Sequence, residues 1–372
     1  ILYTYGIYPI ILIIVKSFHR NSQLKIKMNG SELPSVSLVV AVYNEDPIVR
    51  HKLENLKGID YPQEKIEFLF GSDGSTDETN EILKSFSFPN FHVELFSQRR
   101  GKAAVVNELI ARAKGEIIVF SDANTFYNQD TVRKLIENFR DQTVGAACGE
   151  LRLNSDNQTV GGMGEVSYWN YENTIKKMES SIKTTLGASG GVYAIRKCLF
   201  TSLPTKNVVT DDFLIPMHIL RQGYKIIYEP TALAFEKISN SVTGEFRRKV
   251  RIGAANFHGI SEFAPLLNPK YGFIAFALWS HKIIRWSVPF LLLIVFSTSI
   301  VLVDNSDIHR VFFLFEFVFI IIGIIGLIAE KVNLRVGKLG LPYYFIAMNA
   351  ALLLGFINFI FGRQRATWDV VR

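Results

Sequence analysis

Charge is absent, or nearly so, from four stretches of the chain: residues 1–15, 286–303 and 341–361 carry none, and residues 311–329 carry only Glu316. A helix needs about 20 apolar residues to cross a hydrocarbon core roughly 30 Å thick. The last three stretches therefore predict membrane spans, and the first predicts a span truncated at its start, since the chain opens on Ile1 rather than methionine. Lys16, Arg20, Lys25 and Lys27 come after the first run instead of preceding it, the reverse of a signal peptide's order. Because cations favour the cytoplasmic side of a span, they put the polar residues beyond position 16 in the cytoplasm.

Residues 34–240 read differently, as alternating strand and helix signals. Apolar runs at 36–42, 66–70, 91–96, 116–120 and 144–153 predict strands; 48–56, 76–86 entered through Ser75, 102–113 and 130–139 predict helices. Such alternation forms βαβ units. The fold class expected is α/β, a Rossmann-like and mostly parallel sheet in a cytosolic domain flanked by transmembrane helices. The division expected is an N-terminal transmembrane helix at 1–16, the cytosolic domain at 34–242, amphipathic interface helices at 243–285, three transmembrane helices at 286–361 and a basic tail at 362–372.

Composition sharpens this picture. Of 372 residues 48% are hydrophobic and 20% charged, with mean hydropathy +0.19, too oily for a disordered chain and high for an ordinary soluble enzyme. Cys148 and Cys198 lack metal-ligand spacing and are expected to be two buried thiols. A net charge of +7 suggests an anionic partner, and nucleic acid, lipid headgroup and nucleotide phosphate all qualify until the charges are located.

Open parallel sheets bind ligands outside the carboxyl ends of their strands, and the polar clusters fall there. Tyr43, Asn44, Glu45 and Asp46 come after the first strand, residues 72–77 after the second, and Ser121, Asp122, Ala123, Asn124 and Thr125 after the fourth. Singly, each also reads as an ordinary turn. Together with Arg99, Arg100, Gly101 and Lys102 opening a helix they point to nucleotide phosphate, because a cation at a helix N-terminus is unfavourable unless an anion intervenes. Asp122 and Asn124 offer oxygens at alternate positions, suited to Mg2+ or Mn2+. Further on, Asp211 and Asp212 precede a predicted helix at 213–221; their repulsion would raise one pKa towards that of a useful base, while a helix cap is the other reading of Asp212.

Ala41-Val42-Tyr43-Asn44-Glu45, Ser72-Asp73-Gly74-Ser75-Thr76-Asp77, Arg100-Gly101-Lys102-Ala103 with Asn107, Asp122-Ala123-Asn124 and Thr210-Asp211-Asp212 resemble, in this order, the motifs of family 2 glycosyltransferases. The nearest likeness is to the membrane-embedded branch of cellulose, chitin, hyaluronan and poly-N-acetylglucosamine synthases, over residues 36–260. The resemblance implies a GT-A fold, a nucleoside-diphosphate sugar donor with uridine the foremost base, a divalent metal, Mg2+ or Mn2+, and inversion at the anomeric carbon. It also implies a glycan or lipid-linked acceptor at the bilayer, a partner subunit where a channel must be completed, and no nucleic-acid partner. Carried over, Tyr43, Glu45 and Asp73 hold base and ribose, Lys102 the nucleotide, and Asp122 the ribose and, with Asn124, the metal. Asp212 becomes the catalytic base, with Asp211, Ser189 and Gly190 on the acceptor side.

Two departures stand out. The family's second metal aspartate is here the neutral Asn124, which lowers the expected metal affinity, and the Q-x-x-R-W of processive members is Arg248-Lys249-Val250-Arg251-Ile252. Tyr168, Trp169 and Tyr193 are the remaining aromatic candidates for stacking on a sugar. Arg248 and Arg251 face away from the apolar side of a helix starting near Thr243, positioned for a pyrophosphate or for lipid headgroups. Transfer of one sugar to a polyprenyl phosphate is the alternative within enzymes, and an inactive scaffold or channel subunit the alternative outside them. Counting spans sends the tail outside, whereas Arg363, Arg365 and Arg372 argue for inside, unless the apolar run 273–278 enters the membrane differently.

Overall fold

The computed structural model describes residues 1–18, 33–154, 159–206, 210–237, 242–332, 334 and 337–363. Arg20, Lys25, Lys27, Arg365 and Arg372, on which the charge argument for topology leans, lie outside the described residues. Eight strands, β1 (Val36–Val42), β2 (Ile66–Asp73), β3 (Phe91–Phe96), β4 (Ile117–Phe120), β5 (Thr125–Tyr127), β6 (Val144–Asn154), β7 (Tyr193–Arg196) and β8 (Lys225–Lys237), form one sheet in the order β3-β2-β1-β4-β7-β6-β8-β5. Parallel pairs join β3, β2, β1 and β4, and join β6 to β8; β7 runs antiparallel between β4 and β6, and β5 antiparallel to β8.

The α-helices among the described residues are α1 (Tyr8–Phe18), α2 (Asp46–Lys57), α3 (Thr79–Ser85), α4 (Lys102–Arg112), α5 (Thr131–Ile136), α6 (Val160–Ile182), α7 (Asp211–Arg221), α8 (Val242–Phe263), α9 (Phe273–Ala277), α10 (Ile284–Leu302), α11 (Asp307–Lys331) and α12 (Leu341–Ile360). Alternation along β1 explains the layers, because successive side chains leave a strand on opposite faces. Val36, Leu38, Val40 and Val42 pack with Val49 and Leu53 of α2 and Leu83 of α3, while Val39 packs with Val105 and Leu109 of α4. Gly71 lets α4 close onto β2, since a Cβ there would sit 2.4 Å from the Val105 side chain.

Three local expectations change. Helix α3 starts at Thr79 rather than Thr76, because the Ser75 hydroxyl is engaged by Ser72 and the Asn44 backbone, and Asp77 accepts from the Thr79 N–H instead. Cys148 is buried but Cys198 is exposed, at a 3-10 turn that leaves the sheet. The run 273–278 is no separate segment: through a π-helical turn at Leu278–Ile283 it continues into α10, giving one apolar helix Phe273–Leu302.

That helix, α11 and α12 are each long and apolar enough to cross a membrane. Helix α8 packs beneath α12, where Gly355 brings the backbones so close that a Cβ would sit 2.7 Å from the Val250 carbonyl. Helix α6 meets the same bundle. Gly164 lies against the Tyr344 ring, and Tyr8 of α1 donates to Glu179 at 2.7 Å. Beside it His281 bonds Glu179 (2.8 Å) and Glu172 (3.2 Å), and Arg285 and Lys282 also meet Glu172.

Candidate active site

The loops after β1 and β2 are laced together. Asn44, in the left-handed region at φ 52°, exchanges hydrogen bonds with Ser75 and Thr76; the Glu45 N–H donates to Thr79 Oγ1 (2.8 Å) and the Asp46 N–H to Asp77 (3.2 Å). Tyr43 is covered by the Arg99 guanidinium, 3.8 Å from its ring centroid, so a base reaches that face only by displacing Arg99. Asp73 is fully buried and its carboxylate accepts from the backbone N–H groups of Arg100 (2.6 Å) and Gly101 (2.9 Å). Its visible work is to hold the turn that presents Lys102. Gly101, at φ 92°, caps α4 in a conformation that favours glycine.

Lys102 sits at the centre. Its ammonium lies 2.7 Å from Asp122 Oδ1 and 3.1 Å from Asp211 Oδ1, so the cation at this helix N-terminus is compensated by two carboxylates. Burial alone would lower its pKa, but Asp122 and Asp211 outweigh burial and hold it above the usual lysine value. Asp211 also accepts from the buried Tyr193 hydroxyl at 3.2 Å. Tyr193 itself is stacked on Phe120 in the core, which removes it from the surface available for sugar stacking.

Asp212 is the second residue of α7, whose cap is Thr210, so its carboxylate is not the helix cap. Burial first, and then neighbouring Asp211, push it up to about 6, against Lys102 and Lys176. Gly190 marks where the carboxylates converge: a Cβ there would lie 3.3 Å from Asp212 Oδ2 and 3.7 Å from Asp122 Oδ2. Lys176 of α6, only 5% exposed, fixes this loop by donating to the Ala188 carbonyl (2.8 Å) and Ser189 Oγ (3.1 Å), and Ala188 in turn donates its N–H to the Asp212 carbonyl (2.8 Å). Asp122, Asp211, Asp212, Ser189 and Gly190 are thus brought together around Lys102.

Arg248 stands apart from that group. It is paired with Glu245 (2.7 Å) and with the buried Glu165 of α6, which also accepts from Trp169 Nε1 (2.8 Å) and Tyr344. The arginine predicted to face a pyrophosphate is held between helices in this structure. Trp169 and Tyr168 lie on the same stretch of α6, with Lys249 3.9 Å over the Tyr168 ring.

Several functional neighbours escape a reading of the sequence. Lys52 of α2 is fully buried under the 121–125 loop, donating to Ser121 and to the Thr125 carbonyl, and burial depresses it to about 7 although Asp122 opposes the shift. A lysine inside the apolar stripe of Val49, Leu53 and Leu56 is the readable signal. Glu236 of β8 accepts from Asn124 Nδ2 at 2.9 Å, and burial, with Asp122 adding to it and Arg248 opposing, pushes its carboxyl up to about 7.

The donor set suits a hard cation. Among the described residues no three His, Cys, Asp or Glu side chains form a closed metal cage. Mg2+ and Mn2+ sites that share a nucleotide use one or two carboxylates and leave the remaining positions to phosphate and water. Asp122 lies beside Gly190, Asn124 is two residues further along the same turn, and the Lys102 ammonium bridging two carboxylates shows that positive charge is favoured here.

Residues 37–201 match the family described as glycosyl transferase family 2. The poly-beta-1,6-N-acetyl-D-glucosamine synthase of Staphylococcus aureus (strain COL) is 26% identical over 228 residues, 60% of this chain and 55% of that protein. The same-named protein of Staphylococcus epidermidis is 27% identical over 240 residues, 62% of this chain and 57% of that one. The chain thus spans little more than half the length of these relatives. In three dimensions it is similar to the mannosyltransferase PcManGT from Pyrobaculum calidifontis in complex with GDP-Man and Mn2+, at a TM-score of 0.69 and 20% identity, over 96% of this chain and 95% of that one. With the sheet order and strand-end loops described above, the match to glycosyl transferase family 2 over residues 37–201 falls on a GT-A fold.

Proposed function

We propose that this protein is a membrane-integrated, inverting glycosyltransferase that moves a sugar from a nucleoside diphosphate to a glycan or lipid-linked acceptor at the cytoplasmic face of the bilayer. One observation carries the reading: Asp122 from the loop after β4, and Asp211 and Asp212 from the first turn of α7, converge with Lys102 and Gly190 beside the carboxyl ends of the strands. The relatives named poly-N-acetylglucosamine synthases support a glycan acceptor, and the three apolar helices support the membrane.

In this reading Asp212 takes the proton of the acceptor hydroxyl as that oxygen bonds to the anomeric carbon and the bond from that carbon to the diphosphate oxygen breaks. Its raised pKa suits proton acceptance near neutrality. Lys176 and the 187–191 loop set the acceptor side, while the lysine at the N-terminus of α4 faces the diphosphate. Asp73 and Glu45 border the nucleoside pocket with Tyr43, and Arg251 is assigned to the diphosphate side. Asp122 and Asn124 would hold Mg2+ or Mn2+, which when bound supplies charge stabilisation to the departing nucleoside diphosphate. The Mn2+ in the similar mannosyltransferase structure supports a divalent ion.

The test is direct. Purified protein in nanodiscs, offered a panel of UDP- and GDP-sugars with Mg2+ or Mn2+, should release nucleoside diphosphate, and EDTA should stop it. Release undiminished in chelator would remove the metal from the reading; no release with any donor would favour an inactive scaffold.

A further inference from the structure

Asn124 is a poor ligand on its own account. Its amide is neutral, and only one end of it, the carbonyl oxygen, can face a cation; the NH2 end would repel one. In this protein the ambiguity is removed by a neighbour from another strand. The antiparallel register of β5 on β8 sets Thr125 opposite Glu236, and the Asn124 Nδ2 donates to Glu236 Oε1 at 2.9 Å. In its ionised form, which a cation bound nearby would favour, Glu236 only accepts, so it meets the NH2 group and the carbonyl oxygen is left at the other end of the amide plane. Asp122 stands in the same turn, its carbonyl accepting from the Thr125 N–H at 3.2 Å.

Resting on the metal-assisted reading above, we propose that Glu236 is a positioning residue for the cation: it fixes the Asn124 amide with its oxygen towards the metal and supplies, through that hydrogen bond, the negative charge that Asn124 lacks. Partners that orient metal ligands in this way are worth about 10- to 100-fold in affinity. The chain then carries a split site, with one carboxylate in the turn and the other relayed from β8.

The test measures Mn2+ binding by the loss of free-ion EPR signal, on the full chain in nanodiscs, with Mn2+ alone and with Mn2+ plus UDP or GDP. Glu236→Gln should weaken binding about tenfold or more with an unchanged melting midpoint. Asn124→Asp should strengthen binding much more in the Glu236→Gln background than in the wild-type background, where the introduced carboxylate would confront Glu236. Asn124→Ala, which leaves Glu236 in place, should lose as much as Glu236→Gln. Wild-type affinity in Glu236→Gln or in Asn124→Ala, or an equal gain from Asn124→Asp in both backgrounds, would overturn the proposal. A wild-type protein that binds no Mn2+ under any condition would instead overturn the metal reading itself.

Discussion

The ammonium of Lys102 rests 2.7 Å from Asp122 Oδ1, joining the first turn of α4 to the loop after β4. Both groups are about two-thirds buried, and Asp211 shares the same cation. Replacing Lys102 with Met leaves two carboxylates facing each other without it. The expected outcome is a donor KM raised about tenfold or more, the scale on which removal of a partner from a hydrogen-bonded charge pair acts, with partial recovery in Lys102→Arg. An unchanged donor KM would show that the lysine serves only the fold.

Asp212→Asn should lower turnover by about 10²-fold or more, the scale of general-base catalysis, with donor binding kept within a few-fold. In the wild type, kcat/KM should fall as pH drops below about 6, where the carboxyl takes up its proton, and the variant should lack this limb. Stability moves the other way. The folded pKa is raised above the ordinary 3.8, so the stability present below that value is lost as pH rises through about 6. Asp212→Asn, which mimics the protonated acid, should therefore melt at or above the wild-type temperature at pH 7.5 and match it near pH 3.8. A variant that is both less stable and less active at pH 7.5 would argue for a structural role instead.

Gly190→Ala tests the crowding of the carboxylates. The new methyl would stand 3.3 Å from Asp212 Oδ2, tight enough that one side must shift by a few tenths of an ångström. Since small misplacements of reacting groups cost up to about 10²-fold, a loss of one to two orders in turnover is expected, with the melting midpoint close to the wild type. Full activity would place the reacting atoms elsewhere.

Product length discriminates polymer synthesis from single transfer. Ile252 offers no flat face for a sugar and Tyr193 is committed to the core, which leaves Tyr168 and Trp169 of the aromatic candidates, with the Trp169 ring centroid 5.4 Å from the Lys176 ammonium. At large acceptor excess and low donor consumption, long chains beside untouched acceptor would mark a processive enzyme. Products extended by one sugar would mark a glycan- or lipid-modifying transferase.

How much of the molecule is legible in its sequence depends on the range of the interaction. Strands β1 and β3 are legible to the residue because apolar runs and their bounding turns are local signals, and the strand-end clusters come with the βαβ order. The start of helix α3 is not, because Ser75 is spent on Asn44 and Ser72, a competition invisible along the sequence. Lys52 and Glu236 act on loops 69 and 112 residues away and Lys176 on the loop that follows its own helix, and their side chains declare nothing until the sheet is assembled. Strand β7, reversed between β4 and β6, likewise has no signature in a pattern of alternating helices and strands.

Helix α6 has a consequence for anyone wishing to cut this protein down. Its carboxylates Glu165, Glu172 and Glu179 are buried, and although Trp169 and Thr185 also donate to them, their cationic partners Arg248, His281, Lys282 and Arg285, with Tyr344 and Tyr8, lie outside the span from 33 to 237. Burial would otherwise raise Glu172, and it is Arg285 and its neighbours that hold it well below the usual carboxylate range. A soluble fragment carrying every predicted strand would expose or strand three acids at once, a penalty of several kcal/mol for each broken buried pair. Residue 237 is therefore not a seam along which the molecule can be divided; the sheet and its covering helices inherit their charge balance from the helices that follow and precede them.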